Sequence, residues 1–140
     1  MSKYQYLIAP VMGYLVAQII KFILLLRKDG VQWQDLLQSG GFPSAHIAFM
    51  VALSTLIGLE QGIDSVYFAI VASLTAIIIY DSIGVRRTTG EQTAALRQLT
   101  KDGKKKFNYE IHDSKGHTTT EAIAGFILGI IIGFLINIIL

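Results

Sequence analysis

Cysteine is absent from the 140-residue chain, which excludes disulfides, thiolate metal sites and a cysteine nucleophile. Charge is scarce as well. Asp, Glu, Lys and Arg make up 16% of the residues and the formal net charge is only +2, too little to point to nucleic acid as a partner. The first apolar run lacks both a basic region ahead of it beyond Lys3 and a clear small-residue cleavage site. It is therefore expected to stay as a helix rather than be removed as a signal peptide. No long internal repeat is present. What remains is apolar: 52% of the chain is hydrophobic and the mean hydropathy is +0.52. A water-soluble domain of this length would leave large apolar patches exposed, so the bilayer is the expected solvent and residues 1–140 the extent of a single domain.

A helix needs about 20 mostly apolar residues to cross the hydrocarbon core. Four stretches approach this: about Tyr6 to Leu26, Ala45 to Leu59, Ser65 to Ile83 and Thr119 to Leu140. The expected fold class is all-α, an integral membrane bundle of about four transmembrane helices. Glu60 to Asp64 makes a tight acidic hairpin between the second and third spans. The basic residues gather on the other side, in Arg27-Lys28 and in the long stretch from Arg86 to Lys115. The positive-inside rule then puts both basic stretches in the cytoplasm and both termini outside the cell membrane. Within the long loop between the third and fourth spans, Thr89 to Leu99 has helix-forming residues that Thr88 or Thr89 could cap. In the fourth span Gly125, Gly129 and Gly133 form a smooth stripe for close packing, either within the chain or across a homodimer.

Four groups of polar residues carry candidate chemistry. The first is Gly40-Gly41-Phe42-Pro43-Ser44-Ala45-His46. Pro43 is expected to open a helix, whose free N–H groups around Ser44 and Ala45 would suit phosphate, with Ser44 as hydroxyl donor and His46 as proton carrier. The same residues also read as a glycine turn, a cap and an interfacial histidine. The second is Gly116-His117-Thr118-Thr119-Thr120-Glu121. His117 and Glu121 share a helix face, and a carboxylate on one imidazole nitrogen leaves the other free as a nucleophile or ligand. Alternatively, Thr118 and Glu121 are simply a capping box.

The third is Tyr80-Asp81-Ser82-Ile83-Gly84-Val85-Arg86-Arg87. Its arginines suit phosphate oxygens, Asp81 could orient one of them, and the plain alternative is a topology anchor. The fourth is Lys21, inside the end of the first span, with Lys28 seven positions on and on nearly the same face. Under the expected topology these groups meet at the cytoplasmic boundary, where two helix starts, several cations and two histidines make a site for a phosphorylated group.

Lys21 followed by a basic residue, Pro43-Ser44-Ala45-His46, and Gly116-His117-x-x-x-Glu121 together resemble the three-part signature of the type 2 phosphatidic acid phosphatase superfamily. More closely, Gly41 to His46, Tyr80 to Arg87 and Gly116 to Glu121 resemble, in order, the motifs of its divergent branch, related to acid phosphatases and vanadium-dependent haloperoxidases. The resemblance covers most of the chain. It implies a phosphatase in which His117 attacks phosphorus to form a phosphohistidine, Glu121 holds His117, and His46 protonates the leaving lipid alkoxide and then activates water. Ser44, nearby amides such as that of Ala45, Lys21 and an arginine would bind the phosphoryl oxygens, with neither metal nor other cofactor. The superfamily's third-motif arginine, six residues before the nucleophile, is replaced by Ile111, so Arg86 or Arg87 would supply that charge.

The expected function is hydrolysis of a lipid phosphate monoester, of the phosphatidylglycerophosphate or phosphatidic acid type, at the cytoplasmic face. Such a pocket could be completed by a homodimer through Gly125, Gly129 and Gly133. The competing readings are a non-catalytic lipid-phosphate binder or transport-associated protein, and a metal-dependent hydrolase using His46, His117, Glu121 and Asp81.

Overall fold

A computed structural model describes residues 4–27, 41–101 and 116–140. Every regular element in it is helical: α1 Gln5–Leu26, α2 Ala45–Gln61, α3 Val66–Ile83, α4 Val85–Lys101 and α5 Thr119–Ile139. The chain is an all-α bundle, as expected. Three helical stretches are long and apolar enough to cross a membrane: Gln5–Leu26, Thr119–Ile139, and Val66–Gln98, in which α3 runs on into α4. The shorter α2 has 17 residues, about 26 Å of rise against a hydrocarbon core of about 30 Å. Lys28 lies outside the described residues.

α2 is the hub. Gly13 of α1 lies so close to it that a Cβ there would come within 2.8 Å of the Ala48 carbonyl oxygen. Tyr6, at the start of α1, meets Glu60 and Gln61 at the end of α2, so the two helices run antiparallel. α3 is antiparallel to α2 as well, with Ser54 and Thr75 sharing a 2.8 Å hydroxyl pair and Gly58 packed against Phe68. α5 is parallel to α2. A Cβ on Gly125 would strike the Ser44 carbonyl, one on Gly129 would lie 2.6 Å from Val51 Cβ, and one on Gly133 would lie 2.7 Å from the Ala52 carbonyl oxygen.

The glycine stripe is thus used within the chain, where small residues let two backbones approach closely. All three glycines are buried, and within the chain the stripe is filled by α2. The outward faces of α3 and α5 carry exposed Ile70, Leu74, Ile77, Ile127, Ile130 and Ile131, as the surface of a protein dissolved in lipid should.

Two local expectations are corrected. α2 starts at Ala45 with Ser44 as its N-cap, so Pro43 stands just ahead of the first turn, after a cis Phe42–Pro43 bond. α4 begins at Val85, directly after Gly84, rather than near Thr89. The hydroxyls of Thr88 and Thr89 bond back to the carbonyls of Gly84 and Val85 at 3.1 and 2.9 Å, the bonding of threonine inside a helix rather than at its cap.

Candidate phosphate site

The directions of the helices bring the polar motifs together. Because α2 and α5 are parallel, both present their N-termini at the same end of the bundle. The antiparallel α1 and α3 bring their C-terminal residues, Lys21 and Asp81, to that end too. Two helix starts side by side concentrate unpaired N–H groups and positive dipole ends, which favour an anion. The site is recessed. Ser44 packs on Gly125, which lies six residues beyond Thr119, or about 9 Å along the helix axis.

The His117 side chain is buried, only 5% exposed. Its backbone N–H donates to the Ser82 carbonyl at 3.1 Å. Its Nδ1 lies 3.3 Å from Glu121 Oε2, the same oxygen that accepts from the Thr118 N–H at 3.0 Å. The Thr118 hydroxyl in turn accepts from the Glu121 N–H at 3.3 Å. The capping box and the histidine–carboxylate pair, separate alternatives in the sequence, therefore coexist through one oxygen. With Glu121 ionised, Nδ1 carries the imidazole proton and Nε2 keeps its lone pair. Burial lowers the His117 pKa below its ordinary 6.5; Glu121 raises it in part, and the positive charges of Lys21 and Arg86 lower it further. The imidazole is thereby kept neutral, the form a nucleophile needs.

Around it stand the groups suited to phosphate. Ser44 is fully buried; its N–H donates to the Glu121 carbonyl at 3.0 Å, while its Oγ makes no cap bond and has no hydrogen-bond partner among the described residues. An unpartnered buried hydroxyl is costly unless something else uses it. Lys21 is 8% exposed and lies against Gly41, whose φ of +94° and close approach to the Lys21 Cε both call for glycine. Ala45 is buried in the first turn of α2, clustered with Ala17 and Ala48.

The two arginines part company. Arg86 Nε lies 2.7 Å from Asp81 Oδ2 across the α3–α4 joint and sits within electrostatic reach of both His46 and His117. Arg87 turns to Glu91 on its own helix, at 3.1 Å. Gly116 is pressed on the Arg86–Arg87 backbone so closely that any Cβ would collide with it. The joint between α3 and α4 is therefore the seat of the residues that lead into His117.

His46 is exposed and stands edge-on to the Tyr14 ring, with centroids 6.3 Å apart and planes at 79°. Tyr14 was not singled out in the sequence, nor was Gln18, whose Nε2 donates to the Tyr14 hydroxyl at 2.8 Å. Tyr14 falls seven residues before Lys21, two helical turns away on the same face, a spacing that could have marked it. Among the described residues no three His, Asp or Glu side chains are grouped to hold a metal ion. Asp81 is engaged by Arg86, and the four ligands of the metal-hydrolase alternative are not gathered as a set.

A membrane-embedded helical bundle with a carboxylate-bound histidine among cations at paired helix starts defines the class of protein. Comparison with known proteins agrees: the chain matches the family described as the Divergent PAP2 family over residues 2–132, and it belongs to that family. It is also similar to the uncharacterized membrane protein YuiD of Bacillus subtilis (strain 168), with 36% identity over 110 residues, covering 78% of this chain and 67% of that protein. No solved structure gives a significant match.

Proposed function

We propose that the protein is a membrane phosphatase that hydrolyses a lipid phosphate monoester, of the phosphatidylglycerophosphate or phosphatidic acid type, through a phosphohistidine at the cytoplasmic face. The observation that carries this reading is the buried His117, with Nδ1 on Glu121 Oε2 and the cations Lys21 and Arg86 near enough to influence its charge. In the first step His117 Nε2 attacks phosphorus as the P–O bond to the lipid alcohol breaks, and His46 gives its proton to the departing alkoxide. In the second, neutral His46 takes a proton from water, whose oxygen attacks phosphorus and breaks the P–N bond. Inorganic phosphate leaves and His117 is restored. Glu121 stabilises the imidazolium character that develops on His117 as the P–N bond forms. Lys21, Arg86, the Ser44 hydroxyl and the amides opening α2 offset the charge that builds on the equatorial oxygens.

The test is phosphate release from a panel of lipid phosphates by the purified protein, beside His117→Ala, with vanadate as inhibitor. The expected result is release by the wild type, blocked by vanadate and abolished in the variant. Equal release by both would overturn the mechanism, and headgroup binding without any release would favour the non-catalytic binder.

A further inference from the structure

Between α1, α2 and α3 runs a groove of about 480 Å³ whose apolar lining includes Val11, Leu15, Phe49, Met50 and Ile78, with His46 and Tyr14 completing it. His46 belongs to the first turn of α2 and marks the end of the groove at the phosphate site. Met50 lies four residues further along the same helix, about 6 Å deeper. Val11 and Leu15 are exposed on the side that faces lipid, so the groove is open towards the bilayer.

We infer that this groove seats the hydrocarbon chain of the alcohol esterified to the phosphate, entering sideways from the bilayer. The inference rests on the phosphatase reading and adds where the leaving group lies. The residue assigned to protonate the leaving oxygen stands at the mouth of the groove, so whatever carbon skeleton bears that oxygen continues into it. The lining admits one chemistry. Apart from the imidazole, its polar group is the Tyr14 hydroxyl, already bonded by Gln18. A sugar, nucleoside or other polyol placed there would give up hydrogen bonds to water without replacing them. A hydrocarbon chain gives up none, and because side chains and lipid tails are similarly apolar, the groove can select a chain by shape without drawing it through water. The occupant and the site match end to end: an anionic head among Lys21, Arg86 and two helix starts, and an apolar tail along α1 to α3.

Two measurements on the full-length protein in nanodiscs test this. The first is phosphate release from butyl, octyl and dodecyl phosphate. Wild type is expected to prefer dodecyl over butyl phosphate in kcat/KM, and Leu15→Trp, which fills the groove, should cut that preference about tenfold. Leu7→Trp, elsewhere on α1, serves as the control and should retain the preference. The second needs no turnover: dodecyl phosphate carrying a photoreactive diazirine on its chain should label α1 near Val11 to Leu15 and α2 near Phe49 and Met50, with labelling lost in Leu15→Trp.

Release without chain preference, with label scattered over the outer surface, overturns the groove and leaves the phosphatase reading intact. Labelling confined to the groove without release from any ester has the opposite meaning: the chain site stands and the phosphatase reading fails. Label confined to another part of the bundle overturns the groove whatever the rates.

Discussion

At the scale of single residues, the site turns on protonation and on hydrogen bonds held in reserve. The folded-state pKa of His117 lies below its ordinary 6.5, so between those two values the unfolded chain binds more protons than the folded one. The contribution of neutral His117 to stability is therefore complete above about pH 6.5 and is lost as the pH falls through its folded pKa. Nuclear magnetic resonance should show His117 titrating below 6.5. Glu121→Gln removes the group that raises this pKa, so the variant should titrate lower still and lose about 10²–10⁴-fold in phosphate release.

Arg86→Gln should move the His117 pKa upward by removing a positive charge, whereas Arg87→Gln, whose side chain pairs with Glu91, should leave it in place. Ser44 gives a sharper contrast. Loss of an N-cap serine ordinarily costs about 1 kcal/mol, but Ser44 makes no cap bond. Ser44→Ala should thus leave the melting temperature unchanged or higher, while weakening phosphate or vanadate binding by about 1.5–3 kcal/mol, the worth of a hydrogen bond to a charged group.

At the scale of elements, the parallel pairing of α2 with α5 decides where everything else stands. It puts the two N-termini together, and it depends on three glycines that admit the α2 backbone. Gly129→Ala would place a methyl group 2.6 Å from Val51 Cβ and should destabilise the bundle by about 1–3 kcal/mol, read as a lower melting temperature in detergent. The apolar runs were legible in the sequence to within a few residues because hydropathy over a span is a local sum. The start of α4 was not. Gly84 reads as a breaker, yet the chain resumes the helix at once at Val85, since Gly116 packs against the Arg86–Arg87 backbone and Asp81 bridges the joint to Arg86. The Gly116 contact joins segments about thirty residues apart, and no local propensity contains it.

At the scale of the whole molecule, the opposite ends of the bundle differ in character: cations and histidines at one, Tyr6 bonded to Glu60 and Gln61 at the other. The proposed orientation puts the cationic end in the cytoplasm, and the absence of cysteine makes it simple to check. A membrane-impermeant maleimide should reach Ile63→Cys in intact cells and Arg97→Cys only after permeabilisation; the reverse pattern would place the site outside.

The sequence by itself determined the bilayer as solvent, the approximate spans, and the histidines, carboxylates and cations that form the site, because composition and short spacings are properties of neighbouring residues. The tertiary structure alone decided that the glycine stripe of α5 faces α2, that Arg86 rather than Arg87 approaches the histidines, that one oxygen of Glu121 both caps α5 and meets His117, and that Tyr14 stands against His46. Glu121 meets neighbours only three and four residues away, but the other three depend on how a helix is rotated and in what register it meets another, and that is fixed by packing across the bundle rather than by order along the chain.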